Sequence, residues 1–349
     1  MDTFRIGRRR VGPGPGVFVI AEAGVNHDGD EAKARRLIRA ARTAGADAVK
    51  FQVFDPDLLV TSDAATAAYQ KGATGHRRQR EMLVRLALSR DAFRRLATRA
   101  RAEGIVFLAT PFDLDALGFV KSLGVPAMKI GSGDLTNDPL LERAAATGLP
   151  VLLSTGMATL EEISHARRRL LRSGAQEPCL LHCVSLYPTP PECANLLGIR
   201  TLQKKFKGPV GFSDHTMSTA IPAFAVALGA CVVEKHLTLD RRAQGPDHAA
   251  SLEPEAFARM VGLVREAGAA LGDGRRIPSG AERAVARVAR RSLVLRREVP
   301  AGGVIRAADL IALRPAGGVP PTEVRRVVGR RACRRLAAGS VLRWDWIEE

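Results

Sequence analysis

Hydrophobic positions in this chain repeat with two different periods. Short apolar runs recur at 17–22, 48–53, 106–109, 127–130, 151–153, 180–184, 210–212 and 231–234, each closed by polar or glycine-rich residues. Runs this short, rich in Val, Ile and Leu, are predicted strands buried on both faces. Between them apolar residues return every three or four positions, at 31–44, 91–101, 139–147, 160–173 and 254–271, which predicts amphipathic helices. Eight β–α units over about 250 residues predict an α/β fold, a (β/α)8 TIM barrel. A doubly wound open sheet is the structural rival, but no GxGxxG opens a helix after the first strand.

The polar residues that end the strands carry the chemistry, because barrel enzymes build their sites at the carboxyl ends of the strands. In order they are Glu22, Lys50 with Gln52, Thr110 with Asp113, Lys129 with Ser132, Ser154 with Thr155, Ser185 with Tyr187, Ser213 with His215, and Glu234 with His236. Lysine is scarce, 9 residues against 44 arginines, yet Lys50, Lys129 and Lys235 all lie inside apolar strand segments. A compact ammonium suits a phosphate or carboxylate oxygen in a narrow barrel mouth better than a guanidinium does. For Lys235 an ion pair at the rim is an equal alternative. Thr110, Ser132, Ser154 and Ser213 add hydroxyls, and Gly131, Gly133 and Gly156 add backbone amides, so this arc forms a cradle for an anion with several oxygens.

The densest cluster is Gly211-Phe212-Ser213-Asp214-His215-Thr216, followed by Glu234-Lys235-His236 and Gly245-Pro246-Asp247-His248. Two adjacent strands separated by a helical stretch at 219–229 each deliver an imidazole, the commonest protein ligand for a divalent metal. An anion half and a metal half together suit addition of a small phosphorylated acid to a metal-polarised carbonyl. His182 sits within a hydrophobic strand and is read as structural, Cys179 and Cys183 as small core residues, His248 as a support, and His27 as a brace for Glu22.

The tail changes composition. Residues 273–291 form a Gly/Arg-rich linker and 292–349 a small β-rich module, so the barrel domain is 1–272. Of the formal net charge of +17, residues 275–349 hold +10, from 17 arginines against 7 acids. That basicity raises a nucleic-acid-binding alternative. Against it, the module's aromatics are just Trp344 and Trp346 and its arginine pairs are dispersed, so drawing anionic substrates towards the site is the simpler reading. Five cysteines without Cys-x-x-Cys spacing argue against a disulfide framework or structural zinc. No run reaches membrane-span length and residues 1–11 are too charged for a secretory signal, so a cytoplasmic enzyme is expected.

The ordered motifs closely resemble the sialic acid synthases along nearly the whole chain. The matching segments are Ile20-Ala21-Glu22-Ala23-Gly24-Val25-Asn26-His27, Val49-Lys50-Phe51-Gln52, Thr110-Pro111-Phe112-Asp113, Lys129-Ile130-Gly131-Ser132-Gly133, Ser154-Thr155-Gly156-Met157, His182-Cys183 through Tyr187-Pro188-Thr189-Pro190, and the three clusters above. The tail, with Arg291-Ser292-Leu293-Val294, Val299-Pro300-Ala301-Gly302, Arg314-Pro315 and Gly317-Gly318-Val319, resembles that family's antifreeze-like (SAF) domain.

The resemblance implies condensation of phosphoenolpyruvate with N-acetylmannosamine or a close relative, giving an N-acetylneuraminate-type acid and phosphate. It implies Mn²⁺ on His215 and His236, with Mg²⁺ or Co²⁺ as alternatives and Glu234 linked through water. Lys50, Thr110, Lys129, Ser132, Ser154 and Ser213 would bind phosphoenolpyruvate, and Glu22 would transfer a proton or orient the sugar. Gln52, Ser185, Tyr187 and Asp247 would contact sugar, and Arg314 would reach the partner's site in a domain-swapped homodimer. Legionaminate or pseudaminate synthesis from a 2,4-diacetamido sugar is the alternative. Ser185, where neuraminate synthases often place Asn, leaves one sugar contact open.

Overall fold

Each apolar run becomes a strand because its two side-chain rows meet different but equally dry surroundings. The computed structural model describes residues 3–14 and 16–348, and the chain divides into two units, Met1–Asp273 and Gly274–Glu349. The first unit opens with an antiparallel hairpin of β1 (Phe4–Ile6) and β2 (Arg9–Val11). Eight parallel strands follow: β3 (Phe18–Gly24), β4 (Ala48–Val53), β5 (Val106–Pro111), β6 (Met128–Ile130), β7 (Val151–Ser154), β8 (Cys179–Cys183), β9 (Val210–Asp214) and β10 (Val232–His236). Their order is β5-β4-β3-β10-β9-β8-β7-β6, with β5 and β6 side by side where the barrel nearly closes.

One row of side chains points into the barrel, where Phe18, Ile20, Ala48, Leu108, Leu152, Leu181 and Val232 form a buried cluster. Phe4, Ile6 and Val11 of the hairpin join that cluster and cap the amino-terminal end of the barrel. The alternate row, including Val19, Val49, Phe107, Met128, Leu153, Phe212 and Val233, packs against the surrounding helices. Only at the carboxyl ends does the inward row turn polar, and that change places the site.

Local capping fixes where the helices begin. Asp30 caps Glu31–Thr43 by accepting from Ala32 N, and Thr159 with Glu162 forms a capping box on Leu160–Arg172. Asp113, a strand-end acid in the sequence, accepts from Ala116 N at 2.6 Å as the N-cap of Leu114–Ser122. None of the helices among the described residues is long and apolar enough to cross a membrane.

The second unit has its own small core of Leu293, Leu295, Val299, Ile305, Val319, Val327, Leu336 and Leu342. An antiparallel pair, β11 (Ser292–Leu295) and β12 (Leu310–Leu313), is surrounded by irregular chain and isolated bridges. The stretch read as a plain linker carries a helix, Gly280–Ala289, capped by a Ser279–Glu282 box. That box is legible in the sequence; the glycines and arginines around it mask it.

Candidate active site

Parallel register places the site residues before any side-chain contact does. On β3, Glu22 lies level with Lys50 of β4 on one side and His236 of β10 on the other. Glu234 is level with Ser213, and Ser213 with Cys183. The inward row therefore delivers acid, base, imidazole and hydroxyl to one end of the barrel. There they line a cavity of about 400 Å³ that contains Glu22, Lys50, Gln52, Thr110, Lys129, Ser132, Ser154, Ser185, Tyr187, Ser213, His215, Glu234 and His236.

Two buried lysines stand on one wall of the cavity. Lys50 Nζ stands 2.5 Å from Glu22 Oε2 and donates to Thr110 Oγ1 at 2.9 Å. Lys129 Nζ donates to Ser154 Oγ at 2.8 Å and to Ile130 O at 3.1 Å. Glu234 lies between them: its Oε1 is 3.7 Å from Lys50, 3.8 Å from Lys129, and accepts from Ser213 Oγ at 3.1 Å. Burial works against the Lys50 ammonium, but Glu22 and Glu234 outweigh it and hold its pKa above the ordinary value. Burial lowers the pKa of Lys129, which has Glu234 nearby but no carboxylate as close as Glu22 is to Lys50. Burial also opposes ionisation of Glu234, yet the two lysines keep its pKa below the usual carboxylate range. Burial raises the Glu22 carboxyl against the pull of Lys50.

The backbone makes room for these groups. Gly24 has φ +50°, and a Cβ there would come within 3.1 Å of Glu22 Oε1, 3.2 Å of Gln52 Nε2 and 3.5 Å of Asp247 Oδ2. The same crowding shows that Asp247, from the loop after β10, joins Glu22 and Gln52. At Gly156 an added Cβ would lie 2.9 Å from Ser132 Oγ and 3.1 Å from Cys183 Sγ, and the Gly156 amide donates to Ser132 Oγ at 2.9 Å.

The imidazoles face each other with ring centroids 5.3 Å apart, and Tyr187 packs 4.1 Å from the His215 ring. His215 Nδ1 is 2.8 Å from Val184 O, a bond that puts its proton there and leaves Nε2 as the free lone pair. His236 Nδ1 is buried without a hydrogen-bond partner, 3.8 Å from Asp247 Oδ2. Burial, reinforced by the nearby lysines, holds the His236 pKa well below its ordinary range, so this ring stays neutral. Among the described residues no cluster of three or more His, Cys, Asp or Glu forms a closed metal cage. Two neutral-capable imidazoles on an open cavity instead fit an ion that completes its shell with water and substrate oxygens.

The structure locates four further residues of the sequence reading. Lys235 takes the ion-pair alternative: it lies outside the cavity lining and pairs with Asp214 at 2.6 Å, both fully buried. Cys183, read as core, lines the cavity with Sγ 3.9 Å from His215 Nδ1. Cys183 shares strand parity with Leu181 of the barrel core, and only position along the strand separates core from site. Glu234, expected beside a metal through water, sits against the lysines. Arg314 is an exposed residue of the second unit, directly after β12. Gln79, Phe112 and Met157 also line the cavity and were not anticipated, since they come from loops and a helix rather than strand ends. His182 behaves as read, stacked on Phe212 at 5.9 Å outside the barrel.

The NeuB family profile matches residues 37–276, more than half of the chain, and the SAF domain profile matches 290–348. The chain belongs to the NeuB family. This NeuB-family enzyme is 44% identical to the N,N'-diacetyllegionaminic acid synthase of Legionella pneumophila, over 95% of this chain and 94% of that one. It is 36% identical to the N-acetylneuraminate-9-phosphate synthase of Homo sapiens, over 90% of this chain and 88% of that one. Among solved structures, the N-acetylneuraminic acid synthetase of Leptospira borgpetersenii, bound to citrate, superposes with a TM-score of 0.74 at 37% identity, covering 81% of this chain and 95% of that one. The barrel and SAF domain of this NeuB member are thus those of nonulosonic acid synthases.

Proposed function

We propose that this NeuB-family synthase condenses phosphoenolpyruvate with the open-chain aldehyde of an N-acylated mannose-type sugar and water, yielding a nonulosonic acid and phosphate. The observation that carries the reading is one cavity with two chemically distinct walls, the lysine–hydroxyl cradle and the imidazole pair. Lys50 with Thr110 and Lys129 with Ser154 bind the phosphate and carboxylate of phosphoenolpyruvate, helped by Ser132 and Ser213. Their charges hold C3 towards the opposite wall.

His215 and His236 would hold a divalent ion, Mn²⁺ in first place with Mg²⁺ or Co²⁺ as alternatives, which would supply Lewis acidity to the aldehyde oxygen. Gln52, Ser185, Tyr187 and Asp247 orient the sugar, and Glu22, level with both Lys50 and His236, handles the proton at the developing hydroxyl. A C–C bond forms between C3 and the aldehyde carbon, the oxygen of water adds at C2, and phosphate leaves with its bridging oxygen. We also assign Arg314 to a partner subunit's sugar site in a swapped homodimer, as the resemblance to the sialic acid synthases implies.

N-acetylmannosamine is the reference acceptor. A 2,4-diacetamido-2,4,6-trideoxymannose is the second reading, favoured by the likeness to the Legionella enzyme. Mass spectrometry of reactions with phosphoenolpyruvate, Mn²⁺ and each sugar tests the proposal: an adduct of sugar and pyruvate supports it and names the acceptor. Unreacted substrates with both sugars would refute it.

A further inference from the structure

The second unit carries a pocket of its own. Arg326, Arg330, Trp344, Ile347 and Glu348 line a cavity of about 330 Å³, large enough for a single monosaccharide-sized ligand. The Arg326 guanidinium lies 5.0 Å over the Trp344 ring and is braced by Glu323 at 2.9 Å. Arg330 reaches the Glu348 carbonyl at 3.4 Å, a long bond that leaves its other N–H groups available. Trp344 is 43% exposed, so a large aromatic surface opens on this hollow in a unit with a net charge of +10 from 17 arginines and 7 acids.

From this geometry we infer that the SAF unit holds a second binding site, specific for an acidic sugar. The two guanidiniums meet a carboxylate, Trp344 meets the apolar C–H face of the pyranose, and Glu348 accepts from its hydroxyls. A bare anion would leave the indole idle, and a neutral sugar would leave Arg330 without a counter-charge. The ligand class is that of the nonulosonic acid product, so this site rests on the proposed function and would report product level to the chain.

The test uses the full chain and its own fluorescence, because both tryptophans of the protein, Trp344 and Trp346, lie in this unit. N-acetylneuraminate should change the emission saturably, whereas N-acetylmannosamine and citrate should not. Arg330→Gln should weaken the response about tenfold or more, since it removes a charged hydrogen-bond donor. Its melting temperature and its condensation rate at saturating substrates should be retained. No saturable change, an equal response to citrate, a tighter response to cytidine monophosphate, or an undiminished response in Arg330→Gln would each overturn the inference. Condensing activity measured on the same preparation keeps the two readings separate. Active protein with no emission change refutes this site alone, and an emission change in protein without activity refutes the proposed reaction alone.

Discussion

Replacing Lys129 by Met removes one of the two cations in the proposed anion cradle while keeping the volume of the side chain. Lys129 is 3% exposed, donates to Ser154 Oγ at 2.8 Å, and stands 3.8 Å from Glu234. Glu234 keeps Lys50 at 3.7 Å and Ser213 at 3.1 Å, so the fold should survive the loss. A hydrogen bond to a charged group is worth about 1.5–3 kcal/mol, which corresponds to an increase of about 10- to 150-fold in the KM for phosphoenolpyruvate. Initial rates of phosphate release at saturating sugar measure that constant, and the KM for sugar should stay within about twofold. An unchanged KM for phosphoenolpyruvate in a folded Lys129→Met protein would refute the assignment of the cradle.

Lys235→Met should behave in the opposite way. Its ammonium is fully buried against Asp214, and removing one member of a buried pair costs about 3–5 kcal/mol, visible in urea unfolding, with little change in either KM of the folded fraction. His215→Ala and His236→Ala should each abolish turnover and weaken Mn²⁺ binding in calorimetry; turnover retained in either would refute the metal assignment. His27 gives a pH dependence: burial lowers its pKa from 6.5 to about 4, so the unfolded chain takes up a proton that the folded chain refuses. Stability from neutral His27 is therefore fully present above pH 6.5 and is lost as pH falls towards 4, by about 2 kcal/mol between pH 7 and 5. Unfolding free energies of His27→Gln should lack that increment; an identical pH slope would contradict it.

The barrel was legible because its signal is one of period. Strands buried on both faces read as unbroken apolar runs, and the switch to polar residues at their ends marks the catalytic rim. Lys50 and Lys129 stood out because this chain otherwise uses arginine. Lys235 carries the same local signature, but it falls one residue out of phase with Glu234 and His236 and so faces the helices. The placement of Cys183 and Glu234 depended on depth along the strand and on cross-strand neighbours, which require the register. The hairpin that caps the barrel was hidden because Arg5, Arg8, Arg9 and Arg10 make residues 1–11 look solvated, although Phe4, Ile6 and Val11 alternate onto one buried face.

The most direct measurement is phosphate release from phosphoenolpyruvate by the full chain, with Mn²⁺, in the presence and absence of an N-acylated mannose-type acceptor. One phosphate per sugar consumed is expected, none without sugar, and none after chelation of the metal. Release that is independent of sugar, or condensation undiminished by chelation, would contradict a site built from an anion cradle facing an imidazole pair.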